Sequence, residues 1–187
     1  MKWVYLLLFI SSGICDAKEY FGFNLGMATV EQVVSTLKSA GASYQEVDAN
    51  AAFRGQHLIK ITSYSRMSKY DAVHTAVLMF NRERILYAMD LSWQDNEATV
   101  FEALNESMDK KYKLISNEIS QVGRVTIYSD NGTEIRLVNS LFSLMYGNYP
   151  TMITYILPHE MAKIEFINQQ ESNEAKKRAI TKSASDI

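Results

Sequence analysis

The chain is poor in the residues on which cross-linking and metal chemistry depend. Of its 187 residues only one is a cysteine, Cys15, and three are histidines, His57, His74 and His159. A lone cysteine excludes a disulfide framework, and the histidines are too scattered for a zinc cluster. Two prolines and eight glycines exclude collagen-like and Gly/Pro-rich low-complexity sequence. An excess of one charge is also missing: 19 basic against 21 acidic residues leave a formal net charge of -2. That excludes a general electrostatic attraction for nucleic acid or an anionic membrane. No apolar run approaches the roughly 20 residues that a membrane-spanning helix needs. What is present is 47% hydrophobic, enough for a real core at a length that suits one domain.

The N-terminus has the layout of a secretory signal peptide. Lys2 supplies a positive start, Val4 to Ile10 form a short apolar run, and Ser11, Ser12 and Gly13 break it. Cys15-Asp16-Ala17 then ends on a small residue before Lys18-Glu19, which places cleavage near Ala17. Cys15 offers a second route, as the lipidated first residue of a lipoprotein. The position before it holds Ile14, where a lipobox wants a small residue, so soluble export to the periplasm or medium is the expectation. Residues 18–187 contain no cysteine, so the mature chain has no thiol nucleophile and no thiolate metal ligand.

Beyond the leader, periodicity predicts an α+β fold. Thr29-Val30-Glu31-Gln32 reads as a capping box, and Val30, Val33, Val34 and Leu37 form one helical stripe ended by Gly41. Strands are predicted at Tyr44–Asp48, His57–Ser65, Ala72–Phe80 and Arg84–Trp93. Asp95 or Asn96 caps a second helix carrying Val100, Leu104 and Met108, and four further strands follow. These are Lys113–Ile119, Arg124–Ser129, Thr133–Phe142 and Met152–Leu157, with Asn131-Gly132 as a hairpin turn. The expectation is two tandem α-β-β-β-β units, about 20–94 and 95–158, in a single domain spanning 18–158. The sheet is antiparallel with the helices packed on one face. Residues 159–187 are read as a C-terminal helix or a solvated, disordered tail.

Two resemblances are carried by these residues. Phe21-Gly22-Phe23-Asn24-Leu25-Gly26-Met27, leading into a helix, resembles the Gly-x-x-x-Gly-Met opening of a group of small exported bacterial proteins. Leu78, Phe80, Leu86 and Tyr87, with Lys111-Tyr112 at the end of the second helix, extend that likeness. Over residues 20 to 158 the doubled α-β4 layout also resembles the β-lactamase inhibitory protein family, whose sheet grips an enzyme with its concave face. That family's disulfide has no counterpart here, so the resemblance implies the fold and not the target.

Catalytic motifs are sparse. Ser35-Thr36-Leu37-Lys38 and Ser107-Met108-Asp109-Lys110 match Ser-x-x-Lys, and Ser129-Asp130-Asn131 matches a second element of penicillin-recognising enzymes. With 18 serines and 12 lysines, about one chance Ser-x-x-Lys match is expected; the third element, Lys-Thr-Gly, is missing. His159-Glu160 opens like a zinc-protease helix, but Lys163 stands where the second histidine belongs. No phosphate loop, dinucleotide fingerprint or cofactor motif is present.

The expectation is therefore a non-enzymatic protein of the periplasm or medium that recognises a protein partner, in the manner of an inhibitor, an immunity protein or an envelope accessory factor. If Ile59, Ile61, Val77, Met89 and Leu91 face the helices, the outer sheet face holds Lys60, Thr62, Tyr64, His74, Asp90, Thr126, Tyr128, Glu134 and Arg136. From that face Tyr64, His74, Tyr128 and Arg136 are the candidate contacts, joined by Tyr146 and Tyr149 in the loop before Pro150. The alternatives are a carrier with an apolar cavity between helices and sheet, and a hydrolase built where His74, Asp90 and Ser92 converge.

Overall fold

The computed structural model describes residues 18–48, 56–67, 73–93, 99–120, 123–140 and 151–185. The N-terminal leader and the loop with Tyr146 and Tyr149 lie outside the described residues. A two-stranded hairpin comes first, β1 (Glu19–Tyr20) and β2 (Phe23–Asn24). Helix α1 (Val30–Ser39) follows, with strands β3 (Ser43–Asp48), β4 (His57–Ser63), β5 (Val73–Phe80) and β6 (Leu86–Trp93). Helix α2 (Thr99–Asp109) then precedes β7 (Lys113–Ser120), β8 (Gly123–Asp130), β9 (Thr133–Ser140) and β10 (Thr151–Ile156). A last helix, α3, runs over Pro158–Ser185. The fold is α+β, and every strand pairing among the described residues is antiparallel.

Strands β3 to β10 form one eight-stranded sheet in the order β3-β4-β5-β6-β10-β9-β8-β7. The last strand of each helix–four-strand run therefore lies at the centre, with β6 and β10 in register from Ala88 opposite Ile156 to Trp93 opposite Thr151. The first strands, β3 and β7, form the two edges.

Local chemistry explains the elements. The Gln32 amide donates to Thr29 Oγ1 at 3.3 Å and the Thr29 amide donates to Gln32 Oε1 at 2.9 Å, the reciprocal capping box that starts α1. Asn131 and Gly132 have φ of +48° and +87°, the left-handed pair that a two-residue turn between β8 and β9 requires.

One face of the sheet carries the main core. Ile59, Leu78, Met89, Tyr155, Ile135 and Tyr128 stand opposite one another on neighbouring strands and share a cluster with Val33 and Leu37 of α1 and Phe101 and Met108 of α2. Tyr20, Phe23 and Leu25 of the first hairpin join this core.

The third helix stands apart from the first two. It packs on the opposite face, where Ile164 meets Ala88, Ile156 and Tyr87 beside Met79 and Met161, so the helices do not all share one side. It also continues to Ser185, in line with the helical one of the two readings of this stretch. Its side chains from Asn173 to Thr181 are solvent-exposed, in keeping with their polarity, but the backbone is helical.

Candidate functional site

The face of the sheet away from α1 and α2 is broad, and among the described residues the part of α3 packed on it covers one end. A single row crosses all eight strands: Gln45, Lys60, Val77, Asp90, Thr154, Arg136, Ile127 and Ser116. A parallel row, farther from α3, runs Thr75, Ser92, Met152, Val138, Val125 and Glu118. Val125, Ile127, Val138 and Met152 are half-buried neighbours on β8, β9 and β10, so this face holds a contiguous apolar set, while the half-buried Val77 stands apart from it across Asp90 and Ser92 of β6. Antiparallel sheets ordinarily turn polar side chains to water, so apolar residues in this position call for a cover.

The polar groups among them are held in place. Thr154 Oγ1 donates to Asp90 Oδ1 at 2.7 Å across the β6–β10 pair. Burial raises the Asp90 carboxyl above the usual carboxylate range, and the Thr154 bond pulls it partly back. Arg136 is exposed and paired with Glu134 from its own strand. Lys60 stands exposed in the same row.

Several candidate residues are placed elsewhere than expected. Tyr128 is fully buried on the helix side, where its hydroxyl donates to Asp109 Oδ1 at 2.9 Å and lies 3.1 Å from Asn105 Oδ1. It therefore fastens α2 to the sheet and is not a surface contact. Burial is the main force holding its phenol well above its ordinary value. Tyr64 is 4% exposed and stacks on Phe23, with centroids 5.5 Å apart. Thr126 is buried in the same core. The sequence pattern places all three outside; the register of β8 turns Val125 and Ile127 outward in place of Thr126 and Tyr128. Val77, expected inside, stands opposite Lys60 and Asp90 on the open face.

His74 and Arg136 are exposed, and Lys60, Asp90 and Glu134 belong to the face away from α1 and α2. Tyr146 and Tyr149 lie outside the described residues. Of the trio considered for hydrolysis, Asp90 and the buried Ser92 share the face away from α1 and α2, while His74 sits at the bulge between Val73 and Thr75. Residues missed by sequence reasoning are Val125, Ile127, Val138 and Met152. Their signal is the strict alternation in β8 and β9, which the polar atoms of Thr126 and Tyr128 obscure.

Among the described residues no group of three or more His, Cys, Asp or Glu is arranged to hold a metal ion. No described helix is long and apolar enough to cross a membrane. Comparison with known proteins returns no matching family model, curated protein or solved structure.

Proposed function

We propose that this is an exported, non-enzymatic protein that recognises another protein of the envelope or extracellular space through the open face of its sheet. The observation that carries the reading is the outward apolar set Val125, Ile127, Val138 and Met152, with Arg136 and Glu134 beside it on β9 and Val77 and Lys60 farther along the same face. An apolar centre with a polar rim is the ordinary anatomy of a protein interface. Export rests on the Lys2, Val4–Ile10 and Ala17 layout. The pairing of β6 with β10 at the centre of the sheet supports reading the two helix–four-strand runs as tandem units.

The test compares the wild-type chain with Val138→Glu and Met152→Glu, each immobilised and exposed to envelope extract. Both changes place charge on the water side of the sheet, so melting temperatures should stay close to wild type. A protein retained by the wild type and lost from both variants is the expected result. Retention by folded variants equal to that of the wild type would contradict the proposal.

A further inference from the structure

On the other side of the molecule, a cleft of about 400 Å³ opens between the first hairpin, the end of α2 and strand β10. We infer that this cleft binds a small anion carrying a flat ring, of the aromatic-carboxylate class. Four rings are among its lining residues: Tyr20 and Tyr155, both largely buried with centroids 4.5 Å apart, Phe21, which meets Tyr155 edge-on at 5.9 Å, and Tyr112. Its mouth is basic, with Arg66 and Lys111 among the lining residues and Glu19 as the acid beside them.

The hairpin that forms one wall is built at a cost. Phe21 and Gly22 occupy the two central turn positions with φ of +54° and +90°. Glycine accepts that backbone, but a phenylalanine there is strained, and strain of this kind clusters at ligand sites. Phe21 thereby reaches Tyr155. Gly22 leaves room for the Arg66 guanidinium, since a Cβ at that position would come within 2.1 Å of Arg66 Nη1. The turn thus seats both an aromatic wall and the fork of an arginine.

Charge selects the sign of the ligand. Aromatic-walled clefts often take cations, but here the Tyr112 ring already has the Lys111 ammonium 4.9 Å and the Lys18 ammonium 5.9 Å from its centroid. A ligand cation would meet these two lysines and Arg66. The nearby carboxylate of Asp130 is engaged, accepting from Lys18 Nζ at 2.5 Å and from the Tyr20 hydroxyl at 2.8 Å. Glu19 is drawn to Arg66 at 3.4 Å, one contact to a group with five donors. A planar carboxylate fits such a fork in two-point fashion, while its ring lies against the aromatic walls. The volume falls within the range of small-molecule sites.

Phenylacetate is the probe, titrated against the full chain and followed by tyrosine ring resonances in NMR. Saturable binding in the millimolar range is expected for a fragment of this size. The shifts should fall on Tyr112 and Tyr155. Phenethylammonium, the same ring with the opposite charge, should not bind. Arg66→Ala should weaken phenylacetate binding at least tenfold, and Arg66→Lys should recover part of it. The Arg66 side chain is more than half exposed, so the variants are expected to melt like the wild type. Three results would overturn the inference: no saturable shift, equal binding of the cation, or unchanged affinity in folded Arg66→Ala and Arg66→Lys.

Discussion

Tyr64 and Tyr128 are both buried on the helix side of the sheet, and their hydroxyls differ in what they meet. The Tyr128 hydroxyl donates to Asp109 and lies against Asn105, whereas the Tyr64 hydroxyl is buried without a hydrogen-bond partner among the described residues. A buried hydrogen bond contributes about 1 kcal/mol, and an unpaired buried hydroxyl costs a similar amount. Tyr128→Phe should therefore destabilise the protein by about 1–2 kcal/mol, while Tyr64→Phe should be neutral or stabilising by up to ~1 kcal/mol. Urea denaturation of the two variants reads the contrast directly. An equal loss in both would mean that the Tyr64 hydroxyl has a partner. Asp90 gives a prediction in pH. Its folded-state pKa is raised, so the ionised form opposes folding. That penalty is full above the folded value and vanishes below the unfolded value near ~3.9. Asp90→Asn should melt higher than wild type at pH 7, and the gap should close by about pH 3. A gap of the same size at both pH values would remove the carboxyl as its cause.

Helix α3 behaves as two segments. Ile164 is buried and Met161, Ile167, Asn168 and Glu171 are partly covered, with Arg82 reaching Glu171 at 2.6 Å. Beyond Ser172 the described side chains are exposed. A chain ending at Ser172 should keep its melting temperature within about 2 °C and lose only helical circular dichroism. A chain ending at Leu157 should lose several degrees, because Ala88, Ile156 and Tyr87 are uncovered. Similar melting of the two truncated chains would mean that the Ile164 contact contributes nothing. At this scale the sequence is informative about where strands lie, because hydrophobic alternation and the Asn131-Gly132 turn are local signals. It is ambiguous about which way β8 faces. Thr126 and Tyr128 read as polar, yet the Tyr128 ring fills the core and its hydroxyl is satisfied by α2, a contact between residues 19 and 23 positions apart. No local pattern reports such a contact. The choice between helix and tail for residues 159–187 stays open in the sequence for a related reason: a solvated helix of Glu, Lys, Ala and Ser carries no apolar stripe, and periodicity is the signal that marks a helix.

The whole molecule is a sheet with two unlike sides. One side holds α1, α2, the first hairpin and the main core; the other presents its apolar and charged rows, with α3 at one end. The anion cleft belongs to the first side and the proposed protein contact to the second, so the two can be tested independently. The continuous row across eight strands gives this face its breadth, and the β6–β10 seam lies at the middle of that row and of the sheet. With Cys15 replaced by serine, any introduced thiol is the only one in the chain. The direct measurement is therefore thiol labelling of Val138→Cys and Leu137→Cys, with and without envelope extract. Val138→Cys should label readily when pure and become protected in extract, while Leu137→Cys, on the core side, should resist labelling in both. Ready labelling of Leu137→Cys with none at Val138→Cys would reverse the two faces, and unchanged labelling of Val138→Cys in extract would contradict recognition through this surface.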